Sequence, residues 1–154
     1  MQIEYTIEND RNGTGFSIYA EDDDQTYGYA EMDDDPSTLS KLESLDAALH
    51  KEAAALNVEV NFLHMLEVYA EHQLRGIGSE LMRRFVAHAD KRGIGLLVLA
   101  CEPLGGEDLL PMLLKFYARF GFQDTGISYN GVPYLTRRSP TAWPKAKRRR
   151  ARRG

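Results

Sequence analysis

The chain has 154 residues and a mass of 17.4 kDa, enough for one domain with a proper core and too little for two. Its single cysteine, Cys101, excludes a disulfide framework and a multi-cysteine zinc site and agrees with a reducing compartment. The net charge of −4 is uneven: residues 137–154 hold nine basic residues and no acid, so the rest carries ten basic residues against 23 acidic ones, or −13.

In chain order, the first third reads as strands. Ile3, Tyr5 and Ile7 alternate with polar residues, and residues 16–21 and 26–32 form two more short runs rich in aromatics, with Asp22, Asp23 and Asp24 as a polar hairpin tip. The acidic residues 33–35 before Pro36 mark a helix start. A single helix is predicted over 36–56, with Leu39, Leu42, Leu45, Ala48 and Leu49 on one stripe. Residues 57–69 read as a long strand with Val58, Val60, Phe62, His64, Leu66 and Val68 at period two. After a polar turn, Ile77, Leu81, Phe85 and Ala89 keep helical spacing until Gly93, a suitable C-terminal cap. Residues 94–101 are a nearly continuous apolar run, the mark of a strand buried on both faces. That run is the longest of its kind and far below the ~20 residues a bilayer requires. With an acidic N-terminus unlike a signal peptide, it predicts a cytoplasmic protein with no membrane contact. Glu107 or Asp108 is the expected cap of a further helix that tolerates Pro111 and aligns Leu110, Leu113, Leu114 and Tyr117. Two strands, 122–129 and 132–137, follow around Asn130-Gly131, a strong hairpin signal. The expected organisation is one domain over 1–138 and a basic, disordered tail over 139–154.

The chemistry is most legible in Gln73-Leu74-Arg75-Gly76-Ile77-Gly78-Ser79, between a strand and a helix. Two glycines let backbone approach a ligand, and the helix start offers unpaired N–H groups and a positive dipole end, which together suit a pyrophosphate. A tight turn without a ligand fits the same residues. No Gly-Lys-Ser/Thr follows and Leu81 stands where a third glycine would be, so this is neither a P-loop nor a dinucleotide fingerprint.

Residues 62–82, Phe-Leu-His-Met-Leu-Glu-Val followed by the Gln-x-x-Gly-x-Gly turn and Ser-Glu-Leu-Met, resemble the central motif of the GNAT superfamily of acyl-CoA N-acyltransferases. A second signature of that family, an aromatic pair and Gly-Phe at the end of a later helix, is matched by Phe116-Tyr117 and Gly121-Phe122. The two occur in the family's order, and the resemblance covers residues 60–137. It implies an α/β (α+β) fold: a mixed, mostly antiparallel sheet with a central pair of parallel, splayed strands, flanked by helices. It implies that acetyl-CoA lies between those strands as co-substrate, with no metal. Backbone groups of Leu66, Glu67 and Val68 would pair with the pantetheine arm, and amides of Leu74, Arg75, Gly76, Ile77, Gly78 and Ser79 would hold the pyrophosphate. A backbone N–H near Leu66 or Val68 would face the acetyl oxygen.

The implied activity is N-acetylation of a primary amine, small molecule or peptide, by direct attack. Tyr117 is then the acid that protonates the departing sulfur; its other reading is a core tyrosine on the apolar stripe. His64 is the leading base, a role histidine suits near neutrality, and a satisfied structural histidine is the competing reading. Glu67 and Glu102 are further candidates for the base. His72 falls in the polar turn, and Cys101 reads as a small apolar residue at a strand end. Two features depart from the family pattern: the early helix follows three strands instead of one, and Ala-Cys-Glu-Pro replaces an asparagine after the second splayed strand. Acidic residues 21–24 and 33–35 could attract a cationic amine. The alternative function is a nucleic-acid- or ribosome-associated binding protein on the same scaffold, working through its basic tail, which could also bind an acidic surface such as the body itself. Edge strands at the terminal hairpin would allow a homodimer.

Overall fold

Alternating residues build three antiparallel strands, β1 (Glu4–Asn9), β2 (Phe16–Glu21) and β3 (Thr26–Met32). The computed structural model describes residues 2–10, 15–32, 38–68, 76–103, 106–129 and 131–143. The tip between β2 and β3 is held as its composition suggests: Asp22 Oδ1 accepts from the N–H groups of Asp24 and Gln25 at 2.8 and 3.0 Å. After α1 (Thr38–Leu45) and α2 (Ala47–Leu56) come β4 (Glu59–Val68), α3 (Ile77–Lys91) and β5 (Ile94–Ala100). A 3-10 turn, Glu107–Leu109, leads into α4 (Leu110–Ala118), and β6 (Gln123–Tyr129) and β7 (Val132–Arg138) complete one seven-stranded sheet of order β1-β2-β3-β4-β5-β7-β6. Among the described residues, β4 and β5 are the one parallel pair. The mixed, mostly antiparallel sheet with a central parallel pair is the expected fold class.

Each face of the sheet carries its own core. On one, α3 and α4 cover Phe16, Ile18, Tyr27, Leu97 and Leu99. On the other, α1 and α2 bury Leu42, Leu49 and Ala53 against Val60, Phe62, Leu96 and Val98. β5 sends residues into both cores, which is why its sequence is apolar without alternation.

Several expectations change. The single helix over 36–56 is two, because Asp46 leaves helical geometry and its Oδ1 accepts the Leu49 N–H at 3.1 Å, starting a new helix. The start expected at residues 33–37 lies outside the described residues, as does Asn130 of the terminal hairpin. Neither Glu107 nor Asp108 caps α4; the 3-10 turn feeds it through Leu109, whose side chain makes no capping bond. The packed chain also runs past residue 138. Trp143 is 8% exposed within the α1/α2 core. It is held there by a turn in which Ser139 Oγ accepts from Thr141 and Ala142 and the Trp143 N–H donates to the Ser139 carbonyl at 3.2 Å. Arg137 and Arg138, counted above with the basic tail, sit in β7 and pair with Asp90 and Glu52.

The Arg137 pair is a clamp between elements. Its Nη1 and Nη2 donate to the two Asp90 carboxylate oxygens at 2.9 Å each, and its Nε donates to the Phe120 carbonyl at 2.8 Å, tying the end of α3 to β7 and to the turn after α4. Burial alone would raise the Asp90 pKa, but the guanidinium outweighs it and holds the carboxyl below its usual range. A depressed acid stabilises above its unfolded pKa, so this contribution is lost as pH falls below about 4. Arg137→Ala is expected to cost about 2–3 kcal/mol by urea unfolding at neutral pH, and Asp90→Asn to flatten the loss of stability between pH 4 and pH 2.

Candidate active site

The register of β3 against β4 contains one irregularity with consequences. Glu31 lies opposite Met65 but Met32 lies opposite Leu63, so His64 is an extra residue in β4, a β-bulge. A bulge reverses which face the following side chains meet. Before it Val60 and Phe62 enter the α1/α2 core; after it Leu66 and Val68 pack against the α3/α4 core. The unbroken period read from Val58 to Val68 is therefore wrong: those residues do not share one face. The bulge also marks where the parallel pair ends. β4 and β5 are in register only up to Leu63 opposite Leu99, after which β4 continues along β3 and β5 along β7. Between Met65–Val68 on one side and Ala100–Cys101 on the other, the two central strands part. His64 stands exposed at the fork.

The start of α3 closes one end of this gap. Gly76, in left-handed conformation at φ +79°, is the N-cap and supplies no side-chain hydrogen bond to the first turn. Ile77, Gly78 and Ser79 thus open the helix without a capping side chain, and a Cβ on Gly78 would stand 3.5 Å from Val68 Cγ2. The helix start and the end of β4 are in contact. Arg119, just beyond α4, adds a cation: its Nη2 donates to Ser79 Oγ at 3.3 Å. Dipole, amides and guanidinium together suit a diphosphate. Sequence reasoning did not single out Arg119, although it lies inside the Lys-Phe-Tyr-Ala-Arg-Phe-Gly-Phe segment. Leu74 and Arg75, predicted for the same role, and His72 lie outside the described residues.

Tyr117 is held on α4 by aromatic neighbours, edge-on to Phe116 and Phe122 at 5.2 and 5.8 Å. Its carbonyl accepts from the N–H groups of Phe120 and Phe122, and between them Gly121 turns through φ +94°. This gives the Gly-Phe signature its physical content, since only the left-handed turn brings Phe122, 3% exposed, back against the tyrosine. Burial, with the Cys101 sulfur nearby, pushes the Tyr117 phenol up to about 12. It is protonated at neutral pH and available as a donor. Cys101 is buried, its N–H donating to the Pro133 carbonyl at 2.9 Å. Burial and Asp124 push its thiol up to about 11, so at neutral pH it is not a thiolate nucleophile. Glu102 is exposed at the end of β5.

On the sheet's opposite face, Glu67 projects away from Leu66 and Val68. Its Oε1 accepts from the Tyr29 hydroxyl at 3.1 Å, and Tyr29 lies 6.1 Å from the Tyr19 ring. Glu31 is close enough to Tyr19 to raise its pKa, after burial and along with Glu8. Two phenols and several carboxylates thus form a surface suited to a cation. Among the described residues, no cluster of His, Cys, Asp and Glu is arranged to hold a metal ion, and no helix is long and apolar enough to cross a membrane.

A model described as the acetyltransferase (GNAT) family matches residues 1–122. No curated protein sequence is a significant match. Among solved structures, the PaiA N-acetyltransferase of Thermoplasma acidophilum in complex with coenzyme A superposes with TM-score 0.56 at 15% identity, over 82% of this chain and 62% of that one. This chain therefore spans less than two thirds of that protein. A GNAT family acetyltransferase of Elizabethkingia anophelis with acetyl-CoA bound gives 0.53 at 17% identity over 81% and 76%. The ribosomal-protein-S18-alanine N-acetyltransferase of Escherichia coli gives 0.57 at 12% over 87% and 75%. At such identities the likeness concerns the fold.

Proposed function

Because the chain belongs to the acetyltransferase (GNAT) family, we propose that it transfers the acetyl group of acetyl-CoA to a primary amine by direct attack. The observation that carries this reading is the fork between β4 and β5, with the uncapped start of α3 at one end and the protonated phenol of Tyr117 close to Cys101 on the other strand. The pantetheine arm extends along Leu66, Glu67 and Val68 as a further strand would, and the pyrophosphate lies on the amides from Leu74 through Ser79 with Arg119 beside it. The amine nitrogen attacks the thioester carbon. An N–H of β4 near Leu66 or Val68 stabilises the oxyanion as it forms, His64 takes the proton from the nitrogen, and the Tyr117 O–H donates to the sulfur as the C–S bond breaks. The Tyr19, Tyr29, Glu31 and Glu67 face favours a cationic acceptor, small molecule or peptide. A cytoplasmic setting fits the single unpaired thiol.

Calorimetric titration with acetyl-CoA tests the cofactor site. A Cβ at Gly78 meets only ordinary contact with Val68, so Gly78→Leu is expected to fold and to weaken acetyl-CoA more than tenfold by filling the cleft. Arg119→Ala is expected to weaken it about fivefold, the loss of one exposed charge-assisted contact of about 1 kcal/mol. Unchanged affinity in both variants would remove the cofactor from this turn.

A second reading is favoured by composition: residues 144–154 contain seven basic residues and no acid. Such a segment suits nucleic acid or another acidic surface. A chain ending at Trp143 should keep its acetyl-CoA affinity and lose any salt-sensitive retention on RNA.

A further inference from the structure

The face of the sheet opposite α3 is only half covered. On it α1, α2 and Trp143 pack against Val60, Phe62, Leu96 and Val98 of β4 and β5, and among the described residues none of β1, β2 or β3 belongs to that core. Alternation determines what the other half presents. Ile18 and Ala20 of β2 and Ala30 and Met32 of β3 point toward α3, so Tyr19, Glu21, Tyr29 and Glu31 project to the other side. Glu4 and Glu8 of β1 and Glu67 of β4 join them there. Glu4 stands directly opposite Glu21, Tyr19 opposite Tyr29, and Tyr29 opposite Glu67. Glu8 and Glu31 flank Ser17 from its two sides. Like charges directly opposite on neighbouring strands destabilise a sheet. Here β1 to β4 contain no lysine or arginine, and among the described residues none of the five glutamates is in an ion pair. The cation at the border of this face, Lys41 of α1, lies over the Phe62 ring at 4.9 Å.

The described chain stops on this same face, with Trp143 packed in the α1/α2 core. The eleven residues that follow, 144–154, hold seven lysines and arginines and no acid. Their reach is sufficient. From β5 to β2 is three strand spacings of about 5 Å each, and from Val60 to Met65, which lies opposite Glu31, is about 15 Å along β4, so the two tyrosines stand roughly 20–25 Å from Trp143. Eleven extended residues span about 36 Å. We propose that residues 144–154 dock on the open face of β1, β2 and β3, their lysines and arginines against Glu4, Glu8, Glu21, Glu31 and Glu67 and over the rings of Tyr19 and Tyr29. Guanidinium groups suit such a surface, because they pair with carboxylates and stack on phenol rings at once. The contacts are exposed and screened by salt, so docking shows at low ionic strength and adds little to the unfolding free energy. On the acetyl-transfer reading a segment lying there shields Glu67, and a cationic acceptor must displace it. The docking itself is tested without turnover, so it stands or fails independently of that reading.

The test compares two isotopically labelled chains, the full one and one ending at Trp143, by their backbone amide shifts in about 20 mM and about 0.5 M salt. At low salt, differences are expected at residues 4–8, 17–21, 28–31 and 65–67. At high salt they should vanish, leaving only those next to Trp143. An unlabelled peptide of residues 144–154, added to the shorter chain, should reproduce the shifts saturably, with a dissociation constant on the order of 0.1 mM at low salt. The same peptide with glutamine for every lysine and arginine should produce none. Glu8→Gln with Glu31→Gln should weaken the peptide about fivefold, and Glu43→Gln with Asp108→Asn, two exposed carboxylates elsewhere, less than about twofold. Removing like charges from a sheet face does not oppose folding, and thermal unfolding checks that these variants fold. Identical low-salt spectra of the two chains, shifts elsewhere on the surface, or equal affinity in both double variants would overturn the proposal. So would shifts of the full chain that fade on dilution, which would put the segment of a second copy on this face. A full chain that binds RNA with no change at the face residues would also overturn it and leave the segment to nucleic acid.

Discussion

Tyr117→Phe is expected to lower turnover about 100-fold, near the lower end for loss of a proton donor, while the affinity for acetyl-CoA changes less than twofold. CoA release in the presence of a panel of amines and peptides reads the first, and calorimetric titration the second. Phenylalanine keeps the edge-on contacts with Phe116 and Phe122, so the variant removes an O–H and leaves the packing in place. The phenol at about 12 also predicts the shape of the pH profile. A donor that stays protonated far above neutrality produces no alkaline fall in rate between pH 7 and pH 10, and a fall centred below pH 9 would place the acid elsewhere. Full activity in the phenylalanine variant would leave Tyr117 as the core residue its apolar stripe also describes. The base is resolved in the same assay: His64→Gln should slow turnover while Glu67→Gln chiefly raises the KM for a cationic amine.

Trp143→Ala is expected to lower stability by about 3–5 kcal/mol, the range for deleting a large buried aromatic side chain. Small domains are stable by only about 5–15 kcal/mol, so this is a large fraction of the total. The indole lies among Leu42, Leu49, Phe62 and Val98, with the Arg138 guanidinium 4.5 Å from its ring. A chain ending at Arg138, where composition suggests the domain stops, should therefore unfold at a markedly lower urea concentration, whereas one ending at Trp143 should keep its urea midpoint. Equal midpoints for the two truncations would show that the tryptophan adds nothing to the second core.

Much of the fold was legible because it is written in contiguous residues. Alternation defined β1, short aromatic-rich runs defined β2 and β3, the apolar run defined β5, and the stripe of Ile77, Leu81, Phe85 and Ala89 ending near Gly93 defined α3. The Asp46 break was missed although its signal is local, an aspartate before an apolar turn, because the leucine stripe on either side continues in phase. The glycine turn and the aromatic Gly-Phe segment were likewise readable, and each has a local mechanical reason: an uncapped helix start at Gly76 and a left-handed turn at Gly121.

What sequence could not decide is whatever depends on two segments meeting. The bulge at His64 exists only in the register of β4 against β3, and it alone sends Leu66 and Val68 to the α3 face and Glu67 to Tyr29. Arg119 reaches Ser79 across 40 residues, and Arg137 leaves the basic tail to clamp Asp90 across 47. The opening charge balance changes with them: of nine basic residues after position 136, two are structural partners in β7, and seven remain beyond Trp143. Periodicity and helix-end chemistry are short-range, so the chain by itself determined most of the strands and helices and the glycine start of α3. Bulges, ion pairs and burial are settled by packing free energy between distant segments, so only the tertiary structure decided where the strands part, which side chains face the gap, and that packing continues to Trp143.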